Sequence, residues 1–213
     1  VYLSDTWVDL IWLEQFSEYE ELKLALRAVR QVSVIQTVAH LLLKKDKQSL
    51  EILDQLKKQK ESVSAIVVAS GSAATHVGLL LGLRLLRSRI PVYGICVRRD
   101  KKQQVSRVKG IVRLAENLIG CGELVQEGDI KCHDEWLHPG YGRTNEFVYE
   151  AMTLAGNLEA MLVDPVYTAK SFAGAVGLYR QGLFNKSQNI LYLHTGGTPA
   201  IFAYEREITE TLN

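Results

Sequence analysis

The feature of this sequence that most limits the possible folds is a strand–loop–helix pattern near residue 70. Ala65–Ala69 is a short apolar run of the kind that forms a strand buried on both faces. Five small residues follow it, and Thr75, a favourable helix N-cap, then precedes leucines at helical spacing. This geometry directs backbone N–H groups and the positive end of a helix dipole to one place, which suits a phosphate. A tight turn that needs only small residues is the alternative interpretation.

Strand and helix patterns alternate along the rest of the chain. Two more apolar runs, Val92–Val97 and Ile190–Leu193, predict buried strands, and Met161–Val163 predicts a brief one. The stretch from Cys121 to Thr144 predicts loops. Helices are predicted by apolar residues at helical spacing over residues 103–119, 147–154 and 171–179. Such alternation predicts an α/β fold, a parallel sheet wrapped by helices, with its site at the carboxyl ends of the strands.

The first 62 residues differ in texture from the rest of the chain. They carry apolar residues at helical spacing, interrupted by a polar break at Lys44–Lys47, and show no catalytic pattern. We therefore predict a mainly helical N-terminal segment over residues 1–62 and an α/β domain over residues 63–213. The chain begins with Val1 rather than methionine, which indicates either processing or a piece of a longer polypeptide.

Composition argues against several classes of function. The formal net charge of +1 gives no electrostatic reason to bind nucleic acid or an anionic membrane, and no apolar run approaches the length of a membrane span. Three cysteines without metal-ligand spacing predict a reducing compartment. The protein is therefore predicted to be intracellular, either cytoplasmic or organellar, with mitochondrion and plastid both open. His76 and His194 lack a carboxylate or cysteine at metal spacing, so no metal is predicted.

Small or polar clusters follow several of the predicted strands. Ser70–Thr75 and Thr195–Thr198 each come directly after an apolar run, and Thr198 before Pro199 has the residue chemistry of a helix start. Two further clusters are 140–145 (GYGRTN) and 164–170 (DPVYTAK). Because βα loops gather at one edge of a parallel sheet, we predict that the four clusters converge on one ligand site.

Four segments in this order resemble a known family: VVASGSAATHVGLLLGL, HPGYGRTNE, LVDPVYTAKS and ILYLHTGGTPAIFAY. They are similar to those of the pyridoxal-phosphate-dependent D-cysteine desulfhydrase and 1-aminocyclopropane-1-carboxylate deaminase family, from about Leu50 to Tyr204. The resemblance implies a tryptophan-synthase-β-like fold (PLP fold type II), pyridoxal 5'-phosphate as cofactor, a small amino acid as substrate and a homodimer. The sequence is closer to the desulfhydrase branch, because deaminases carry glutamate at the position of Thr168.

The resemblance also implies roles for individual residues. Tyr141 and Tyr167 would be the two active-site tyrosines beside cofactor and substrate, the alternative being core residues with satisfied hydroxyls. Thr168 or Thr195 would face the pyridine nitrogen, where a neutral hydroxyl tempers the electron-accepting character of the ring. Gly196 would contact the cofactor from the same loop as Thr195. The cofactor phosphate would be held by the loop after the first strand, namely Ser70, Gly71, Ser72, Ala73, Ala74 and Thr75.

The chain also departs from the family pattern. The family's Schiff-base lysine lies near the amino terminus, in a segment reading lysine-arginine-aspartate and then glycine-glycine-asparagine-lysine, and no such segment occurs in this sequence. The SNH-type motif that contacts the substrate carboxylate does not occur either, and Lys44, Lys45 and Lys170 lack the context of the family's lysine. Ala74 stands where the family usually has glycine, and a positive φ there would cost about 1 kcal/mol.

Three functions remain open at the level of sequence. The chain resembles a D-cysteine desulfhydrase, which converts a small amino acid to a keto acid, ammonia and sulfide. The alternative is a truncated or diverged member of the family that binds pyridoxal phosphate or phosphate without catalysis. A nucleotide-binding α/β domain is less favoured, because the loop has neither the glycine spacing of a dinucleotide fingerprint nor a P-loop lysine.

Overall fold

The computed structural model describes residues 47–212, and their centre is a four-stranded sheet in which neighbouring strands are parallel. In chain order the strands are β1 (Ala65–Ser70), β2 (Val92–Cys96), β3 (Lys131–His133) and β4 (Ile190–Tyr192). Their order across the sheet is β3-β2-β1-β4, so β1 pairs with both β2 and β4. Val67 lies opposite Tyr93 on one side and Tyr192 on the other. What the sequence predicts for residues 1–46 lies outside the described part of the chain.

Helices precede, connect and follow these strands. Their bounds are α1 (Lys47–Gln59), α2 (Ala74–Leu85), α3 (Lys101–Ile119), α4 (Glu146–Glu159), α5 (Thr168–Arg180) and α6 (Glu205–Leu212). Two short 3-10 helices occupy Glu127–Asp129 and Thr198–Tyr204. The described helices include none that is long and apolar enough to cross a membrane.

Helices cover both faces of the sheet, and their packing explains why β1 is apolar from Ala65 to Ala69. Ile66 and Val68 pack in a core with residues of α2 and α3, whereas Ala65 and Val67 pack in a second core with residues of α4 and α5. All four side chains are at most 1% exposed. A strand buried on both faces has no polar side to alternate with the apolar one. The predicted α/β class, a parallel sheet wrapped by helices, is therefore confirmed.

One short strand was not predicted, and one predicted short strand is wrong. β3 lies inside the stretch predicted as loops, and only Cys132 of its three residues is buried, so no apolar run marks it. Met161–Val163 is not a strand. The carbonyl of Leu162 accepts a hydrogen bond from the ring of His194 at 2.8 Å, so a side chain takes the place that a neighbouring strand would have.

The starts of two helices also differ from prediction. The N-cap of α2 is Ala73, with φ 78° in the left-handed region, and the helix begins at Ala74, before the predicted cap Thr75. The positive φ that was considered at Ala74 therefore falls on Ala73. Gly197 rather than Thr198 precedes the last predicted helix, whose first seven residues form a 3-10 helix. The other predicted helices occur, each extending at one or both ends beyond the predicted range.

Candidate functional site

The carboxyl ends of the parallel strands open onto one edge of the sheet. β1 leads into the loop before α2, and its neighbour β4 leads into residues 193–197, where the Leu193 amide still bonds to the Val67 carbonyl at 2.9 Å. β2 leads into residues 97–100 and β3 into the long loop 134–145. Topology therefore gathers at this edge the clusters at residues 70–75, 140–145 and 195–198.

The loop after β1 presents backbone amides that have no acceptor in the described structure. Ala73 turns the chain into α2, and its carbonyl accepts the Val77 amide at 2.9 Å. Amides of a first helical turn have no acceptor within the helix, and the N-cap residue Ala73 offers no side-chain acceptor, although the Ala74 amide donates to the Ser72 hydroxyl at 3.4 Å. The described residues also offer no acceptor to the amides of Ser72 and Ala73. These donors and the positive end of the α2 dipole can together hold a phosphate.

The Ser70 side chain is buried on the core side of this loop. Its hydroxyl lies 3.1 Å from His76 Nδ1 and accepts a hydrogen bond from Gln104 Nε2 at 2.8 Å. The imidazole of His76 in turn lies against Gly94 of β2, where a Cβ would be 2.3 Å from Nδ1. The Ser70 hydroxyl is thus engaged in a buried network that supports the loop from behind, while Ser72 is exposed and Thr75 partly exposed.

A buried carboxylate, that of Asp164, organises the segment before α5. It accepts hydrogen bonds from the backbone amides of Val166 at 2.8 Å, Tyr167 at 2.9 Å and Thr168 at 2.8 Å. The Thr168 hydroxyl donates to the same carboxylate at 2.6 Å. A Cβ at Gly197 would lie 2.7 Å from Asp164 Oδ1, so the loop after β4 approaches this carboxylate as closely as a glycine permits. The fourth predicted cluster therefore joins the site through Asp164.

The two threonines considered for the pyridine nitrogen differ in accessibility. Thr168 is fully buried with its hydroxyl engaged, whereas Thr195 is partly exposed. The loop that carries Thr195 is held by His194, whose Nε2 donates to the Leu162 carbonyl at 2.8 Å. His194 Nδ1 accepts the Gly196 amide at 3.3 Å, so both contacts are consistent with the tautomer protonated at Nε2. Of the two hydroxyls, that of Thr195 is the one open to a ligand.

The two predicted active-site tyrosines lie together. The hydroxyls of Tyr141 and Tyr167 are hydrogen-bonded to each other, and their ring centroids are 5.9 Å apart at 62°. Tyr141 is 43% exposed, which excludes the core role considered for it. A Cβ at Gly71 would lie 4.0 Å from Tyr167 Cε1, so the pair adjoins the loop after β1. On its other side the pair is flanked by Arg98, whose guanidinium carbon is 5.4 Å from the centre of the Tyr141 ring.

A buried lysine fastens the turn that carries Tyr141. Lys170, on α5, is fully buried, and its Nζ donates to the Leu137 carbonyl at 3.1 Å and to the Gly140 carbonyl at 2.6 Å. Burial disfavours the charged form and lowers the pKa of Lys170 from 10.5 to about 8. The ammonium therefore holds the loop after β3 against α5, and its role here is structural.

Stability should depend on pH through Lys170. Between about pH 8 and pH 10.5 the unfolded chain keeps the lysine proton that the folded chain has lost, so the free energy of unfolding rises with pH. Across this window we expect the free energy of unfolding of the wild-type chain to rise by on the order of 3 kcal/mol relative to that of Lys170→Met. Urea unfolding at a series of pH values measures it. The free energy of unfolding of the wild-type chain minus that of Lys170→Met should be constant between about pH 6 and 7. If it stayed constant up to pH 10.5, the lowered pKa of Lys170 would be contradicted.

Several residues of the site were not in the set predicted from the sequence. Asp164 lies in the predicted cluster 164–170 but has no predicted role of its own, although an aspartate a few residues before a helix commonly caps it. No local sequence pattern indicates a role for Arg99 or Arg107, because they bond to carbonyls of the loop after β1 that are 28 and 35 residues away in sequence. Gln104 likewise reaches that loop from α3.

A phosphate group fits the loop after β1, because the described residues offer no acceptor to the amides of Ser72 and Ala73 at the start of α2. Hydroxyl-bearing and aromatic side chains lie beside that loop at the same sheet edge. These features are those of a class of α/β domains in which a small phosphorylated ligand fits between the βα loops.

Comparison with known proteins gives the family. A family model described as pyridoxal-phosphate dependent enzyme matches residues 45–196, and the chain belongs to this family. A D-cysteine desulfhydrase of Salmonella typhi is 40% identical over 160 residues, which are 75% of this chain and 48% of that protein. That of Salmonella paratyphi C is also 40% identical over 160 residues. A crystal structure described as an ACC deaminase homologue has a TM-score of 0.67 and 31% identity, covering 77% of this chain and 49% of that one.

These comparisons confirm the resemblance noted in the sequence, and with it the tryptophan-synthase-β-like fold and pyridoxal phosphate as the cofactor of the family. The chain spans about half the length of the relatives it matches. The match begins at residue 45, just before α1, whose Ile52 and Leu53 pack against the same core as α2. The predicted boundary at residue 62 stays a prediction.

Proposed function

We propose that this domain provides the phosphate-binding half of a pyridoxal-phosphate-dependent enzyme of the D-cysteine desulfhydrase type, acting on a small amino acid. The observation that carries the proposal is the loop after β1, where the described residues offer no acceptor to the amides of Ser72 and Ala73 at the start of α2, directly beside a hydrogen-bonded tyrosine pair. The match to D-cysteine desulfhydrases over 160 residues supports the same function. The products would be a keto acid, ammonia and sulfide.

The roles of the chain's residues follow from their positions. The amides of Ser72, Ala73, Thr75 and His76 would bind the phosphate, since the described residues offer them no acceptor, whereas the Ala74 amide donates to the Ser72 hydroxyl. Thr195 and Gly196 would contact the ring from the loop after β4. Pyridoxal phosphate, when bound, supplies an electron-accepting ring that stabilises negative charge on an amino acid's α-carbon.

The tyrosine pair is placed to move a proton. Because the hydroxyls of Tyr141 and Tyr167 share a hydrogen bond, a proton given up by one can be replaced from the other. Arg98 beside Tyr141 adds a positive charge that would attract an anionic group of a substrate to this position. We therefore assign to this pair the protonation of the departing group.

A second function is favoured by one observation on the sequence. The lysine segment that attaches the cofactor in the family does not occur in these 213 residues. A polypeptide without that lysine segment would bind pyridoxal phosphate or phosphate without turning over substrate. The two functions share the same loop and differ only in catalysis.

A negative charge introduced at position 72 of the loop tests the proposed phosphate site. Ser72 is exposed in the loop, so Ser72→Asp sets a carboxylate among donors arranged for an anion. We expect affinity for pyridoxal phosphate and for inorganic phosphate to fall by on the order of 1–3 kcal/mol. Isothermal titration calorimetry measures both affinities. Ser62→Asp, which adds the same charge at an exposed position before β1, is the matched control. Equal affinities of the Ser72 variant and the wild-type chain would place the phosphate elsewhere.

We also infer that the working protein is a homodimer inside the cell, whether cytoplasmic or organellar. Large apolar side chains stand open to solvent at Leu158 (71% exposed), Leu162 (63%) and Phe202 (79%), which favours a covering partner. A second copy or the remainder of a longer polypeptide would cover these side chains. Three free thiols agree with a reducing compartment.

A further inference from the structure

Three side chains of α3 or of the residues just before it donate hydrogen bonds to backbone carbonyls of the loop after β1. Arg99 Nη1 donates to the Gly71 carbonyl at 2.9 Å, and Arg107 Nε donates to the Ser72 carbonyl at 2.8 Å. Gln104 Nε2 also reaches the Gly71 carbonyl at 3.3 Å. The donors belong to α3 or to the residues just before it, so these two loop carbonyls face α3.

The orientation of the carbonyls determines where the amides point. A peptide unit is planar and trans, so its C=O and N–H groups point in opposite directions. The Gly71 carbonyl shares a unit with the Ser72 amide, and the Ser72 carbonyl shares a unit with the Ala73 amide. Holding both carbonyls toward α3 therefore turns both amides away from α3. These are the amides to which the described residues offer no acceptor.

The same arginines, together with Arg98, form a cationic group, since the positive charges of Arg98 and Arg107 both act on Arg99. Arg98, Arg99 and Arg107 take part in none of the ion pairs found within residues 47–212. Burial lowers the pKa of Arg99, and the positive charges of Arg107 and Arg98 lower it further. A bound anion at the loop would offset this repulsion.

We propose that Arg99 and Arg107 are positioning residues for the cofactor phosphate, which fix two peptide planes of the loop so that the amides of Ser72 and Ala73 face the phosphate. This inference rests on the proposed function, because it assumes that the phosphate lies at this loop. Each arginine acts through a backbone carbonyl, and the contact with the phosphate is made by the amide at the other end of the peptide unit.

The test compares pyridoxal 5'-phosphate with pyridoxal, which lacks the phosphate, by equilibrium dialysis against the 213-residue chain. The double variant Arg99→Met/Arg107→Met keeps most of each aliphatic stem and loses the donors to the loop. We expect its affinity for pyridoxal phosphate to fall about tenfold or more, because two charge-assisted hydrogen bonds that orient the site are gone. Its affinity for pyridoxal should change less than about twofold, which also shows that the ring site is intact.

A second double variant separates positioning from charge. Lys102→Met/Lys109→Met removes two positive charges from exposed positions of α3 and should lower the affinity for pyridoxal phosphate by less than about threefold. A loss as large as that of the arginine variant would mean that charge alone matters, and would overturn the inference. Equal losses for pyridoxal phosphate and pyridoxal in the arginine variant would overturn it as well. A wild-type chain that binds both ligands equally would instead refute the proposed phosphate site.

Discussion

Replacing Asp164 with alanine is expected to cost the domain on the order of 3–5 kcal/mol of stability. The carboxylate is fully buried and accepts three backbone amides and the Thr168 hydroxyl. Removing it leaves those donors buried without an acceptor, and each such donor costs about 1–3 kcal/mol before the structure relaxes. The loss is a large fraction of the roughly 5–15 kcal/mol that holds a domain folded.

Urea unfolding followed by circular dichroism measures this cost. Asp54→Ala removes an exposed aspartate from α1 and should change the free energy of unfolding by less than about 0.5 kcal/mol. Asp164→Asn keeps the shape and one acceptor oxygen, so it should fall between the two. A loss below about 1 kcal/mol for Asp164→Ala would show that water replaces the carboxylate at this site.

The same substitution should also weaken the binding of pyridoxal phosphate, because Asp164 connects two parts of the site. Its carboxylate sets the backbone of Tyr167, and the loop with Thr195 passes so close to it that Gly197 has no room for a Cβ. Stability and binding are therefore linked through one buried group. A variant that unfolds more easily yet binds with unchanged affinity would separate the two.

The main strands could be predicted from the sequence because each is apolar, although only β1 and β2 are buried strands and β4, at the sheet edge, is half-buried at every position. β1, β2 and β4 each appear as a short apolar run, and the observed bounds differ from the predicted ones by at most one residue. β3 has three residues with a single buried side chain, Cys132, so periodicity has nothing to detect. Its place in the sheet depends on pairing with β2, which is a tertiary interaction.

The candidate site was predictable as a set of loops but not as a set of contacts. Parallel topology brings the tyrosines at 141 and 167 to one edge, and the resemblance to the family named both. The sequence does not reveal that their hydroxyls bond to each other, nor that the Thr168 hydroxyl is taken by Asp164. Long-range partners such as Arg107 and the Ser72 carbonyl need the folded chain before they can be recognised.

The inward position of Lys170 can be predicted from its helical spacing alone. At helical spacing Lys170 falls with Ala173 and Gly174, which are buried, so it lies on the inner face of α5. A lysine on an inner face must find acceptors, and the carbonyls of Leu137 and Gly140 supply them. Which carbonyls these are depends on the path of the loop after β3, and no local rule gives that path.

The largest expected effect concerns catalysis by the 213-residue polypeptide itself. We expect it to bind pyridoxal phosphate weakly and to release little or no pyruvate and sulfide from D-cysteine. The family's chemistry needs an amine that attaches the cofactor and moves the α-proton, and the segment that carries it does not occur in this sequence. Losing covalent and acid–base contributions together lowers a rate by about a thousandfold or more. The loop after β1 keeps its donors, so binding can survive without turnover.

Pyruvate and sulfide release should therefore stay close to the rate of free pyridoxal phosphate under the same conditions. The polar break before α1 offers candidate substitutes, so Lys44→Ala, Lys45→Ala and Lys47→Ala are measured beside the unmodified chain. Lys102→Ala on the surface of α3 is the matched control for loss of one lysine. Turnover well above that of the free cofactor, abolished by one of the three substitutions and kept in the control, would show that a lysine of the polar break has been recruited and that the chain is a working enzyme. Turnover that none of the three abolishes would point to a different amine. A rate equal to that of the free cofactor, together with measurable binding, leaves the domain as a cofactor-binding half whose catalytic lysine must come from outside these residues.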